Sequence, residues 1–498
     1  MLARAQGATR RLVGSPTMSP SLLRRAFALL PLMLPACGTS GASHPATDAS
    51  LARVSLADAS GPTLAVTLVP NPDNVVSAVA TVLVTGATHL VITVDDGGDG
   101  GVRTTTVRVT SSAMRVPVLG LTPGVTSRVT FTATADDGGR TSTGPIAVTM
   151  GPLPAAFPAI TVHDHGLGAQ DHVLLGILHF GTNFSAAAIV DRRGRLEWYR
   201  LGGAPSTFGL DFERTPTGSY TVFQSGTAGF FEELDLTSKL LRRWTAPGSA
   251  LGLDGHEFSI GADGHALALV PTVHTDDTRP FRATGAAAAN VLGVEIQDLA
   301  PDGSAVRRWS SWPAIGLDET TADVFAAASE PLDALHPNSL SRLADGNLLL
   351  SLRHTDTVLK IDAATGKILW RLGGVRSDFR FVGDPAGGFS HQHYVRELGN
   401  GDLLLLDNGN LHDPPGSRAV EYRLDEAAHT ATRVWEYDDP LAGFSLAAGS
   451  AQRLGNGHTL VSWGFTGQLA EVDAAGAALW NLGVAGCMVY RAIAVPEL

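Results

Sequence analysis

Six of the eight tryptophans in this chain stand at the same point of one repeating pattern, and that ruler leaves few folds open. Trp198, Trp244, Trp309, Trp370, Trp435 and Trp480 fall in RLEWYR, LRRWTA, VRRWSS, ILWRLG, RVWEYD and ALWNLG, each closing a unit. The fullest unit spans residues 336–370, HPNSLSRLADGNLLLSLRHTDTVLKIDAATGKILW. Its four apolar runs, separated by ADGN, HTDT and AATG, predict one antiparallel four-stranded sheet, because Asp-Gly and Thr-Gly are tight hairpin signals. A lone sheet leaves its edges open and is a poor independent unit. Repeated sheets stacked radially solve that, so the pattern predicts an all-β chain ending in a six-bladed β-propeller over residues 171–498.

First-hairpin turns recur at Thr217-Gly218, Asp263-Gly264, Asp345-Gly346, Asn400-Gly401 and Asn456-Gly457, which makes five first hairpins against six last strands. The unit ending at Trp198 lacks a first strand, and the chain runs on past Trp480 into CMVYRAIAV. The C-terminal segment is therefore expected to supply the missing innermost strand. Two insertions interrupt the ruler, at 273–290 and 313–335, the second with a short helix; both join the edge where His336 lies and are expected to cover it.

Upstream, residues 61–150 hold seven short alternating strands, which predict a small β-sandwich of immunoglobulin or fibronectin III type. Residues 151–170 read as a Pro-rich linker, in which His163 and His165 suit interdomain packing better than metal ligation. Residues 1–36 contain five Arg, no acid and the apolar run AFALLPLMLPA, which read as a signal peptide too short to span a membrane. LPAC at 34–37 resembles a lipoprotein box with Cys37 as the lipidated first mature residue; Met18 is an alternative start. Residues 37–60 then form a flexible tether. The expected location is exported, periplasmic or anchored by lipid to the outer membrane. Only Cys487 accompanies Cys37, so a lipidated Cys37 leaves no intrachain disulfide. The net charge is −12 with no basic patch, which argues against nucleic acid. Nothing in the sequence signals an oligomeric state.

Counting back from the hairpin turns aligns the first strands. His256, Asn338 and His393 each lie seven residues before the turn residue, and His336 and His391 two residues further out. Residues two apart share a face of a strand, so these five should meet at one axial mouth. Arg353 and Asn408 each follow the turn glycine by seven and should join them. Histidine is scarce, at 16 of 498 residues, so four at matching positions point to chemistry rather than packing. A neutral imidazole is a nucleophile or proton carrier. A guanidinium fork suits an oxyanion, and amide or imidazole donors stabilise equatorial oxygens. The set suits transfer of a sulfuryl or phosphoryl group, with no cofactor and no metal required.

The stretches HPNSLSRLADGNLLLSLRHTDTVLKIDAATGKILWRLGG, HQHYVRELGNGDLLLLDNG and SRAVEYRLDE resemble the bacterial arylsulfate sulfotransferases, nucleotide-independent enzymes with a six-bladed propeller. The resemblance implies a ping-pong reaction in which a phenolic sulfate ester gives its sulfuryl group to a histidine and a phenol then accepts it. The family's Gln-His element matches Gln392-His393, which implies His393 as the nucleophile. His336 and Asn338 match its His-x-Asn element, Arg353 the arginine of the next strand, and His256 an earlier histidine. His256, His336 and Arg353 would then be catalytic, and Asn338, His391 and Asn408 would bind substrate. One alternative is a non-catalytic binding or scaffold propeller on the periplasmic side of the outer membrane, since AATGKILWRLGG also resembles Trp-docking repeats. A second is a metal-dependent hydrolase using His391, His393, His336 and His256, for which the sequence offers no obvious acidic partner.

Overall fold

The structure, a computed structural model, describes residues 61–97, 101–164, 172–179, 181–182, 184–202, 211–327, 329–439 and 442–498. Cys37, the expected signal and tether, and His165 lie outside the described residues.

The described chain is all-β apart from short helical turns. From residue 160 onward the described strands form six sheets, antiparallel except that Leu332–Asp333 joins the third and Arg380–Val382 the fifth in parallel. The fourth is the unit anticipated above: Pro337–Arg342, Leu348–Leu352, Thr357–Ile361 and Ile368–Gly373, each strand paired with the next. The first sheet begins with His172–His179, and the C-terminal strand Met488–Val495 pairs beside it, antiparallel, as the innermost strand. The stretch read as a linker differs from expectation. Its residues Ile160–Asp164 form a fifth, outer strand on the sixth sheet, pairing with Ala478–Val484. His163 is exposed there, opposite Asn481.

The middle strands read as unbroken apolar runs because both of their faces are buried. Leu349 enters the cluster shared with the fifth sheet, and its neighbour Leu350 enters the cluster shared with the third. Leu405 and Leu404 divide in the same way between the fourth and sixth sheets. Alternation of side chains across the pleat therefore feeds two cores at once. Six such cores follow one another, and the last joins Leu460 and Trp480 of the sixth sheet to Val173 and Ala188 of the first.

The tryptophan ruler has a physical cause. Trp309, Trp370, Trp435 and Trp480 donate their indole N–H to Gly366 O, Glu426 Oε1, Ala474 O and Arg192 O, each in an outer turn of the following sheet. These four last strands thus hook their neighbours, and Trp480 hooks the sixth sheet onto the first. Burying an indole removes roughly 200 Å² from water, about 5 kcal/mol before entropy. In the second sheet Trp244 turns to Glu233, and Arg242, stacked on the Trp244 ring, reaches Pro301 O of the third sheet instead.

Residues 63–149 form two facing sheets around one apolar core. Thr63–Pro70, Ala78–Thr85 and Ala113–Val118 make one sheet. Val102–Arg108, His89–Asp95, Thr126–Thr134, Arg140–Ser142 and Ile146–Thr149 make the other. Arg140–Ser142 is an eighth strand that the sequence reading did not anticipate. The unit docks on the first two sheets through Asp73–Arg200 (2.9 Å) and Asn71–Ser238 (2.9 Å).

The two insertions build one cap. Residues 273–290 extend the hairpin of Ala266–Asp276 and Ala289–Leu299, and 313–335 contribute the helix Ala322–Ala326 and the strand Leu332–Asp333. They share a small core of Val291, Leu317, Val324, Phe325 and Leu332, with Phe281 stacked on Phe325 at 5.1 Å.

Candidate functional site

The strands that open the first hairpins of the third, fourth and fifth sheets start at Phe258, Pro337 and His393. The residues leading into them bring His256, His336 and His391 to the same end. The local backbone is not regular strand. His336 (φ 49°) and His391 (φ 55°) are left-handed, and the ladders slip between Pro337 and Ser339 and between His393 and Arg396. A bulge breaks the period of two and re-aims side chains. The face-sharing argument from sequence therefore does not hold within each pair, although the residues still converge.

His393 is 2 % exposed. Its Nδ1 lies 2.7 Å from Asn408 Oδ1 and 3.1 Å from His391 O. The Asn408 amide is oriented by its Nδ2, which donates to Ser445 O (2.8 Å) and Ala448 O (3.0 Å), so Oδ1 is the acceptor. Both groups at Nδ1 accept hydrogen bonds, which puts the ring proton on Nδ1 and the lone pair on Nε2. That lone pair accepts a long bond from the Ala448 N–H at 3.2 Å. Burial, and then the Arg353 guanidinium, hold His393 well below the ordinary imidazole range, so it is neutral at pH 7.

Beside it runs a row of imidazoles. His256 meets His336 edge-to-face at 4.8 Å, His336 lies 4.7 Å from His354, and His354 lies 6.1 Å from His391. Carboxylates hold the row. His256 Nδ1 is 2.6 Å from Asp254, and His336 Nδ1 is 2.5 Å from Asp333 of the cap. His354 Nδ1 is 2.6 Å from the Asp333 carbonyl. His391 lies between Asp323 of the cap helix (3.1 Å) and Asp356 (3.2 Å). These partners correct the sequence reading, which found no acid near the histidines. Burial opposes charge on every ring. At His256 it is outweighed by Asp254, and at His391 by the hydrogen bond to Asp323 and the adjacent Asp356 carboxylate, so both rise above the ordinary value. At His336 burial is only partly offset by Asp333 and the ring falls below it; His354 falls further. Burial lowers Arg353 to about 10, which leaves it charged.

The remaining positions read from sequence take more specific places. Arg353 opens a 3-10 turn, its N–H donating to His336 O (3.0 Å), its Nη2 to Leu446 O (3.1 Å). Asn338 and Asn408, expected to touch substrate, are fully buried. Asn338 donates to Gln392 O (2.6 Å), and Asn408 holds His393. The fully buried His391 faces its two carboxylates. Gln392 locks the loop through Ser351, Leu352 and Thr357. Sequence reasoning missed His354, Asp254, Asp333, Asp323, Asp356 and Tyr490. Asp254-Gly-His256 and Asp333-Ala-Leu-His336 carried a visible signal, an acid two or three residues before a site histidine. Tyr490, on the C-terminal strand, donates to His256 O (3.2 Å) and Asn338 O (3.3 Å), and Arg491 beside it joins Asp211 (2.6 Å) and Glu257 (3.0 Å) beneath the site.

Among the described residues, two groups bring donor atoms close enough for a metal ion: Asp333, His336 and His354, and Asp211, Glu213 and Glu257. In the second, the Arg491 guanidinium already supplies the positive charge.

The family model for arylsulfotransferase (ASST) matches residues 229–485, just over half of the chain, a range that includes every site histidine and Arg353 but not Tyr490 or Arg491. No curated protein matches the sequence. Similar solved structures include a protein of unknown function from Bacteroides caccae, 16% identical, TM-score 0.44, over 66% of this chain and 100% of that one. Another, from Lactobacillus plantarum, is 12% identical, with TM-score 0.37 over 66% and 100%. Virginiamycin B lyase from Staphylococcus aureus is 10% identical, with TM-score 0.31 over 74% and 94%.

Proposed function

The chain belongs to the arylsulfotransferase family, and from that premise we propose that it moves a sulfuryl group from a phenolic sulfate ester to a phenol through a sulfohistidine at His393. The observation that carries this reading is the state of His393: a neutral ring whose Nδ1–H is fixed by an amide and whose lone pair is on Nε2 beside a buried guanidinium. In the first half-reaction the Nε2 lone pair forms the N–S bond, the S–O(aryl) bond breaks, and its electron pair leaves on the aryl oxygen, which takes a proton from a neighbouring imidazole. In the second, the acceptor phenol returns that proton to the imidazole. Its oxygen bonds to sulfur, and the N–S pair goes back to Nε2. Arg353 neutralises the sulfuryl oxygens as charge gathers on them. Attack requires the Ala448 N–H to release Nε2, and the freed amide is then a donor to a sulfuryl oxygen. The six sheets act as blades of a closed propeller that presents this site at one mouth. Residues 61–150 form an immunoglobulin-like module ahead of it. Export and lipidation at Cys37 would place the enzyme in the periplasm or on the outer membrane.

The test is transfer from 4-nitrophenyl sulfate to phenol without nucleotide, with and without EDTA, by wild type and His393→Ala. Phenol-dependent nitrophenol release with phenyl sulfate formed, absent in the variant and indifferent to EDTA, supports the reading. Full activity in His393→Ala removes the sulfohistidine. Loss with EDTA and recovery with Zn²⁺ would favour a metal ion at Asp333, His336 and His354.

A further inference from the structure

The reaction needs one group that carries a proton to and from the aryl oxygen, and two histidines, His256 and His336, stand side by side as candidates. They differ in how their carboxylates are shared. Asp254 meets His256 alone, at 2.6 Å to Nδ1, and its Oδ1 also accepts the His256 backbone N–H at 2.8 Å. Asp333 serves two rings: its carboxylate meets His336 at 2.5 Å and lies 3.8 Å from His354, and its carbonyl takes the His354 Nδ1–H. Asp333 also arrives on the cap strand Leu332–Asp333, whereas Asp254 stands two residues before its histidine in the same loop. One carboxylate charge divided between two imidazoles, with Arg353 nearby, cannot hold either as a cation as well as a carboxylate devoted to one ring.

We infer that the Asp254–His256 dyad is the proton carrier to the leaving phenolate, and that Asp333 is a positioning residue that fixes the tautomers of His336 and His354, each with its Nδ1–H engaged and a lone pair on Nε2. This rests on the sulfuryl-transfer reading and assigns its acid. Nδ1 of His256 stays hydrogen-bonded to Asp254 while Nε2 gives up its proton to the aryl oxygen in the first half-reaction and regains one from the acceptor phenol in the second. His336, with its one N–H held by Asp333, keeps only a lone pair on Nε2 and has no proton to give the aryl oxygen. The ring orientation is set from below, where Tyr490 and Arg491 both donate to the His256 carbonyl, at 3.2 and 3.0 Å.

Leaving-group dependence separates the two roles. The donor's kcat/KM reports only the half-reaction that consumes it. Phenyl sulfate expels a phenol with a pKa near ~10 and needs the acid, whereas 4-nitrophenyl sulfate expels a far weaker base and needs it little. In Asp254→Asn, kcat/KM for phenyl sulfate should fall by about 10²–10⁴ and for 4-nitrophenyl sulfate by tenfold or less. In Asp333→Asn both donors should fall by the same factor. His256→Gln should repeat the steep dependence of Asp254→Asn. Because the ratio of two donors on one sample does not depend on how much of a variant is folded, loss of stability cannot imitate the result. Equal losses on both donors in Asp254→Asn, or a steepened dependence in Asp333→Asn instead, would overturn the assignment. Failure of wild type to transfer from either donor would instead sink the sulfuryl-transfer reading itself.

Discussion

Replacing Asn408 by Asp changes one atom pair beside the proposed nucleophile and turns its neutral partner into an anion. Asn408 Oδ1 lies 2.7 Å from His393 Nδ1, which puts the centres of a carboxylate and an imidazolium about 4 Å apart. At an effective dielectric near 20 that pair is worth about 4 kcal/mol, or about three pKa units, before the cost of burying the new carboxylate. A rise of roughly one to three units is expected. In wild type, burial and Arg353 keep His393 neutral well below its ordinary range, so its titration should not limit the rate near pH 7. The variant's raised pKa leaves the ring protonated, without a lone pair on Nε2, on the acid side. Its kcat/KM for 4-nitrophenyl sulfate should therefore fall with a single-proton limb displaced upward by one to three units, and recover above it. The measurement is a profile from pH 5 to 9 with phenol in excess. The variant also loses the Nδ2 bonds to Ser445 O and Ala448 O, which costs about 1–3 kcal/mol for each carbonyl left unpaired. That lowers Tm without altering the shape of the profile. An acid limb that stays in place, or moves down, would refute His393 as the group whose neutral form reacts.

Arg491→Met should destabilise the fold by about 3–5 kcal/mol, because Asp211, Glu213 and Glu257 lose their shared guanidinium. Glu213 is already raised to about 7, mainly by burial, and carboxyls raised in the folded state lose stability as pH rises. Urea unfolding should thus show a larger deficit at pH 8 than at pH 5. Asp323→Asn should free the cap helix from His391. His391 is raised when folded, so its contribution is complete below its unfolded value and fades as pH climbs through the folded one. Hydrogen exchange over residues 317–335 should quicken in the variant at pH 6 and converge with wild type at pH 9. Cys37→Ser should abolish palmitate labelling and release the protein from the membrane fraction of expressing cells; unchanged fractionation would remove the lipid anchor.

The repeat was legible because its signal is redundant. Both faces of each middle strand are buried, so Leu348–Leu352 and Leu403–Asp407 read as apolar runs whatever their neighbours. In four of the six last strands the tryptophan is the donor that reaches the next outer turn. The missing first strand could be inferred by counting, since one unit lacked it and the C-terminus had one to spare. Ile160–Asp164 was not legible: its five residues follow a Pro-rich stretch, and their partner is more than three hundred residues away. Arg140–Ser142 is too short to show a period.

The site was legible as a set of residues but not as a set of roles, and the reason is local. The histidines sit where strands begin, in left-handed or bulged backbone, and there spacing no longer fixes direction. What sorts them is the partner at Nδ1, which arrives from elsewhere in the chain. An amide, Asn408, fixes the His393 tautomer without adding charge, so burial and Arg353 can keep the ring neutral. Carboxylates at His256 and His391 overcome the same burial and favour the cation. At His336 the carboxylate is shared and falls short. Buried side chains of one type are thus biased towards different protonation states by their partners. Transfer by a nucleophile and a separate acid requires that difference. An Asn–His pair exchanged for an Asp–His pair would erase it even with every atom of the site in place.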